Sequence, residues 1–398
     1  MIIRLREYGP EKDVELAGSV AARLASSGLV EALPAGNDQW TLRPVDRVGA
    51  VRIGELEVVV EPKVGPEGLL FLLGYAADPG FRPEDVEGVE RKDLLPVLAE
   101  SLARQVERAT GKGVLQGYVT LDEALPVVRG RLRAADQMGR RPGTLLPIEV
   151  TYDEYSADIP ENRIVRSAVR RMMAVPRVRP EIRRRLGHLD GRLDGVTPLI
   201  PGEPLPGWQA SRLNQRYVPA LRLAEIVLRH LSAKVGEASV PVASFVVDMA
   251  KVFEDFVTTA LQEATAGYPG RMEGQYPVNL AIGGGVPMRP DVVHLAGGRA
   301  QAVFDAKYKI ESERRGVPNA DVYQMLAYCT ALRLDRGYLI YAKGQGEALA
   351  HRIVNTDPAI EIIQYPLDLA DSPTGLLTQM DRLAFDALGH SRASVPAA

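Results

Sequence analysis

Residues 289–309 read Arg289-Pro290-Asp291-Val292-Val293-His294-Leu295-Ala296-Gly297-Gly298-Arg299-Ala300-Gln301-Ala302-Val303-Phe304-Asp305-Ala306-Lys307-Tyr308-Lys309. Two apolar runs rich in β-branched residues flank a Gly-Gly pair, the pattern of a β-hairpin. Side chains alternate between the two faces of a strand. Asp305, Lys307 and Lys309 therefore share one face, and Ala300, Ala302, Phe304, Ala306 and Tyr308 the other. Pro290 cannot donate to a ladder, so it marks the start or edge of the first strand. Register decides whether Asp291 joins Asp305. A two-residue turn at Gly297-Gly298 sets Asp291 opposite Phe304, on the wrong face, whereas a bulged or three-residue turn sets it opposite Asp305. A site that uses both acids requires the bulge or the longer turn.

Two carboxylates and a lysine on one sheet face are the parts of metal-assisted phosphodiester hydrolysis. Mg²⁺ prefers carboxylate and water oxygens and works beside phosphates. The bound ion lowers the pKa of water, and a lysine can orient that water and share charge growing on the phosphodiester. An isolated Asp-x-Lys is common by chance, so its surroundings matter. Upstream, Met249, Val252, Phe253, Phe256, Val257, Ala260 and Leu261 form one apolar stripe at helical spacing. Glu254 falls at the edge of that stripe and Asp255 further toward solvent. Downstream, a helix over 319–333 puts Gln324 and Tyr328 one turn apart beside the sheet edge, where plain helix packing is the alternative reading.

The remainder of the chain reads as mixed α+β or α/β with several domains. Residues 1–90 are strand-rich, with a hairpin over 51–60 and a buried helix around 69–77, followed by a charged connection near 79–92. Residues 91–238 are helix-rich and arginine-rich, and 239–398 hold the Asp-Asp-Lys region. Helices are expected over 93–110, 162–173 and 217–235. Ten arginines from Arg163 to Arg192 meet only Glu161, Glu181 and Asp190 along that stretch, after an earlier group at Arg129, Arg131, Arg133, Arg140 and Arg141. This is either a solvated face or a surface for phosphates, which guanidinium forks match.

Forty-eight Lys and Arg against 51 Asp and Glu exclude a non-specific basic DNA coat. One cysteine, Cys329, excludes a disulfide scaffold and a cysteine-based zinc site, and fits a reducing compartment. Thr110-Gly111-Lys112-Gly113 lacks the earlier glycine and the following hydroxyl of a phosphate-binding loop, so no nucleotide is expected on this chain. The five histidines show no ligand spacing, and His294 reads as structural. No segment is long and apolar enough to span a membrane, which with the charged start points to the cytoplasm.

Pro290-Asp291, Asp305-Ala306-Lys307 and Gln324-x-x-x-Tyr328 resemble the PD-(D/E)xK nuclease signature. The likeness extends to the McrC family, the nuclease subunit of McrBC modification-dependent restriction systems. It runs through Tyr152-Asp153-Glu154-Tyr155-Ser156-Ala157-Asp158, Asn162-Arg163, Leu213-Asn214-Gln215-Arg216-Tyr217 and Val252-Phe253-Glu254-Asp255-Phe256-Val257. The resemblance implies a C-terminal restriction-endonuclease-like domain in which Asp291, Asp305, Lys307, Glu254 and Gln324 serve catalysis. Asp291, Asp305 and Glu254 would hold Mg²⁺. It further implies a partner, an McrB-like AAA+ GTPase hexamer that binds GTP and reads modified cytosine in double-stranded DNA, with residues 1–90 docking into its ring. A non-cleaving adaptor of the ring and a stand-alone repair nuclease are the alternatives.

Overall fold

The computed structural model describes residues 1–77, 79, 81, 94–175, 178–235, 241–308, 319–342, 346–354 and 356–389. Most of the expected connection at 79–92, together with Arg177, Lys309 and His390, lies outside them. The chain forms two compact units, residues 1–94 with 234–398, and residues 95–233.

In the first unit, Arg47–Ile53 and Leu56–Glu61 form the expected hairpin, closed at Gly54, whose φ of 57° suits glycine. Ile2–Arg6 adds in parallel to one side and Pro241–Asp248 antiparallel to the other. Residues distant in sequence thus share one sheet. Its far edge is Leu231–Val235, where a continuous helix over 217–235 was expected. The helix Val218–His230 stops because Leu231 turns extended, at φ −92° and ψ 117°. Ser-Ala-Lys-Val brings no apolar stripe that a further helical turn could bury, and a place beside Pro241–Asp248 satisfies its backbone. A smaller sheet, Lys12–Glu15, Gln39–Pro44 and Val30–Gly36, packs with the helix Gly18–Ser27.

The sheet that carries the site has six strands in the order Arg271–Gly274, Val292–Ala296, Arg299–Lys307, Arg336–Ala342, Glu361–Leu367 and Leu349–Arg352. Its middle is parallel, with Arg299–Lys307 beside Arg336–Ala342 and then Glu361–Leu367. Parallel strands are covered on both faces. On one face Val293, Val303, Leu339 and Ile362 pack against Met325, Tyr328 and Cys329 of the helix Asn319–Leu332. On the other lies the helix Met249–Ala264, whose seven stripe residues are all buried. Phe253 meets Tyr308, and Phe256 packs edge-on against Phe71 of the buried helix Gly65–Ala77. Each fully buried side chain of this size contributes about 1.5–3 kcal/mol.

In the second unit, the helices Leu94–Thr110, Pro160–Met173, Pro180–Arg192 and Val218–His230 accompany a long antiparallel ribbon of Gly117–Leu125 and Ile148–Ser156. The ribbon leaves Val127, Val128, Met138 and Leu145 exposed around its tip. Among the described residues no helix is long and apolar enough to cross a membrane.

Candidate active site

The hairpin at 292–307 closes through a two-residue turn, with Ala296 opposite Arg299 and both turn glycines at positive φ. A bulge follows at once. His294 pairs with Ala302 and Leu295 with Ala300, so Gln301 is the extra residue. One inserted residue flips the alternation. Ala300 accordingly packs with the Val293 and Val303 cluster instead of sharing a face with Ala302 and Phe304, as unbroken alternation would have it. Val292 stands opposite Phe304, which brings Asp291 level with Asp305. The Oδ2 of Asp291 accepts the backbone N–H of Ala306 at 2.9 Å.

Lys307 Nζ lies 2.5 Å from Asp305 Oδ2 and donates to Gln324 Oε1 at 2.9 Å. Gln324 donates in turn to the Tyr328 hydroxyl at 2.6 Å, which donates to the Arg289 carbonyl at 3.3 Å. This relay fixes the lysine head from the helix side and returns to the segment that carries Asp291. Glu254 reaches the site from the opposite helix, as its place at the stripe edge implied. Between Glu254 and Asp291 stands Gln275, a residue that sequence reasoning missed. Its Nε2 donates to Glu254 Oε1 at 2.6 Å and to Asp291 Oδ1 at 3.0 Å. No spacing rule marks Gln275; only the fold of the short strands around it brings it there. Asp321 was missed for the same reason. It is buried, accepts from the Tyr341 hydroxyl at 3.1 Å, and adds negative charge near Asp305.

The acids crowd one another. Burial, then the charge of Asp305, pushes Asp291 up to about 6 against the pull of the Ala306 N–H and Lys307. Burial also raises Asp305, against Lys307, and raises Glu254 with help from the Asp291 charge. Perturbed carboxylates of this kind gather at functional sites, where desolvation and like charge are tolerated for chemistry. Next along the strand, Tyr308 turns to the other face and donates to the buried Glu7 at 3.0 Å, tying the N-terminal strand to the end of the site strand. His294 is buried with neither ring nitrogen hydrogen-bonded, and burial lowers its pKa, which suits a neutral structural role.

The arginine-rich stretch behaves differently. Arg163 forks onto Asp158, Arg166 and Arg170 both meet Asp190, Arg179 pairs with Glu100, and Arg185 forks onto Glu107. Arg133, Arg140 and Arg141 surround Glu149, and Arg171 and Arg183 donate to backbone carbonyls. Most of the partner acids lie outside the stretch that a local count covers. Of the two readings, the pairs support the solvated, self-matched face for these arginines, whose charge is largely met by carboxylates and carbonyls of the same unit.

Fold and site together define a multi-sheet α/β protein with an acid-acid-lysine centre on a bulged hairpin. Residues 42–342 match the sequence profile of the family described as "McrBC 5-methylcytosine restriction system component", and the chain belongs to that family. A search of curated proteins gave no match. Among solved structures, a chain of a Thermococcus gammatolerans assembly of McrB AAA+ hexamers with bound McrC has a similar fold. It is 20% identical with a TM-score of 0.61, over 98% of this chain and 100% of that one. A second structure, of the McrBC complex from the same organism, is also 20% identical, with a TM-score of 0.42 over 68% of this chain and 90% of that one.

Proposed function

We propose that this chain is the DNA-cleaving subunit of a GTP-dependent restriction complex, and that its C-terminal part is a PD-(D/E)xK nuclease domain hydrolysing phosphodiester bonds with Mg²⁺. The observation that carries the reading is the bulged register, which sets Asp291 level with Asp305 while Lys307 is held beside Asp305.

The donor set fits the ion. Asp291 and Asp305 offer oxygens only, and the buried Asp305 Oδ2 takes no hydrogen bond of regular geometry from any described residue. Among the described residues no three His, Cys, Asp or Glu side chains converge on one point. Mg²⁺ does not require three, since one or two carboxylates plus water and substrate phosphate suffice. When bound, the ion would supply an activated water and a counter-charge for the phosphodiester. Lys307 has three N–H bonds; Asp305 and Gln324 orient the head, which leaves donor capacity for a phosphate oxygen or the attacking water. Gln324 and Tyr328 keep that head from swinging away.

The solved assembly of McrB AAA+ hexamers with bound McrC supports a partner of the same kind here, an AAA+ hexamer. To that partner we assign GTP hydrolysis and the selection of DNA with modified cytosine. Residues 1–90 are assigned to docking. The exposed apolar tip of the ribbon, with Leu145 88% exposed, is a second candidate, because such patches mark protein contacts.

The test mixes purified chain, a partner GTPase, GTP, Mg²⁺ and modified DNA. Lys307→Ala or Asp305→Ala should lower cleavage by roughly 10³-fold and leave GTPase stimulation intact. Full cleavage by either variant would sink the site. Absence of cleavage by the unaltered chain favours the adaptor, and cleavage without partner or nucleotide favours the stand-alone nuclease.

A further inference from the structure

We infer that Gln275 keeps Glu254 out of the metal pair. The site then takes a single divalent ion, on Asp291 and Asp305, and Glu254 is a positioning residue instead of a ligand. This rests on the Mg²⁺ reading above and narrows it.

The amide nitrogen of Gln275 donates at once to Glu254 at 2.6 Å and to Asp291 at 3.0 Å. It stands between the two carboxylates, where an ion shared by them would have to sit. An amide N–H₂ donates and cannot ligate a cation. Turned over, the amide would aim its oxygen at two carboxylates, so their charges dictate the donor orientation.

The backbone of Gln275 is fixed as well. Its φ is 51°, uncommon for a residue with a side chain, and its N–H donates to the Asp291 carbonyl at 2.7 Å. The next residue, Tyr276, donates to the Pro290 carbonyl at 3.1 Å. Unfavourable backbone conformations persist where surrounding bonds over-determine them, and they cluster at functional sites. Gln275 is thus clipped against Asp291 at backbone and side chain alike.

Glu254 has part of its charge answered on its own helix. Lys251, one turn before it, lies 3.4 Å from the same Oε1 that accepts from Gln275 and pairs more closely with Asp255 at 2.8 Å. The failure of any three acids to converge among the described residues agrees with a two-carboxylate site. What Glu254 does is hold the amide, and the amide holds Asp291. With Oδ1 on Gln275 and Oδ2 on the Ala306 N–H, the plane of the Asp291 carboxylate is set in advance. Hydrogen bonds behind a ligand commonly tune metal affinity in this way.

The experiment counts ions directly, by titrating the full-length chain with Mn²⁺ and following free Mn²⁺ by electron paramagnetic resonance. The unaltered chain should bind one ion. Glu254→Gln keeps the shape and the acceptor, and should still bind one at nearly the same affinity. Asp291→Asn and Asp305→Asn each remove a ligand charge and should weaken binding by more than the roughly 10–100-fold that losing a group behind a ligand costs. Gln275→Glu places a carboxylate where the amide was and should add a second ion; Gln275→Ala, which opens the same gap, is the companion variant if Gln275→Glu misfolds. Two ions on the unaltered chain, a Glu254→Gln defect as deep as that of Asp291→Asn, or no second ion in the folded Gln275 variant would overturn the inference. No ion on the unaltered chain would overturn the Mg²⁺ reading itself, and that outcome is told apart because it appears before any substitution.

Discussion

Asp158 in the unit of residues 95–233 and Asp291 in the other unit are the same side chain driven in opposite directions. Asp158 receives both forks of Arg163 at 2.8 Å and the Thr197 N–H and hydroxyl at 2.8 Å, which hold it down to about 2. Asp291 is buried beside Asp305 and rises to about 6. The contrast extends to their neighbours. Glu107 is lowered by Arg185, and Asp190 is lowered because hydrogen bonds from Arg170 and Arg166 outweigh its burial, while Asp305 and Glu254 are raised. A carboxylate matched by a guanidinium stabilises the fold. Carboxylates pressed together destabilise it, and persist where a cation or reacting phosphate is to be met. A dense run of charge and a site of charge are thus different things, and in these two regions the carboxylates shift in opposite directions.

The largest effect on stability should come from Arg166. It is 7% exposed and donates to Asp190 at 3.0 Å, to the Val196 carbonyl and to Asp194 at 3.4 Å. Arg166→Ala leaves the Val196 carbonyl without its donor and empties the space of a buried side chain, while Asp190 keeps Arg170, so the unfolding transition of its unit should lose about 2–3 kcal/mol in urea. A loss below about 1 kcal/mol would mean that the arginine pairs are dispensable surface contacts, and the contrast between the regions would fail.

How much of this was legible beforehand follows from the range of each signal. The stripe Met249 to Leu261, the 51–60 hairpin and the alternation around Asp305 and Lys307 are local patterns, and each lies where its periodicity put it. The need for a bulge was legible because two acids had to share a face, although Gln301 itself carried no mark. Gln275 and Asp321 were invisible, since their roles come from elements that meet only in the folded sheet. The arginines stayed open between two readings for a related reason. Counting acids along 161–192 omits Asp158, just before the stretch, and Glu100 and Glu107, which arrive from elsewhere in the fold.

Next in size comes pH. Asp158 has a folded pKa of about 2, below an unfolded value of about 3.9, so its contribution is fully present above about pH 4 and disappears as pH falls toward 2. Asp158→Asn should remove about 1–2 kcal/mol at pH 7, solvent screening of this partly exposed pair included. Asp291 has the opposite sign. With a folded pKa near 6 it binds a proton in the native state between about pH 6 and 4, where the unfolded chain has none, so metal-free protein gains stability across that window on acidification. Melting curves of the unaltered chain and Asp291→Asn should differ by a term that shrinks as pH falls through 6, and parallel curves would remove Asp291 from the comparison. Apparent Mg²⁺ affinity of the metal-free chain should weaken through the same window, because the proton competes with the cation for the carboxylate.

The smallest effect is expected at Glu254. Burial and the charge of Asp291 raise it, while Lys251 and Gln275 hold one of its oxygens. Glu254→Gln removes the like-charge repulsion and retains the acceptor, so the gain from one nearly cancels the loss of the lysine pair. The change at pH 7 should lie within about 0.5 kcal/mol, the scatter usual for a substitution that strands no buried group. Asp158→Asn is an equally isosteric exchange of a carboxylate for an amide, yet it should destabilise several times more. Equal losses at the two positions would mean that Glu254 is a structural ion-pair partner like Asp158, and the site would then contain two crowded carboxylates instead of three.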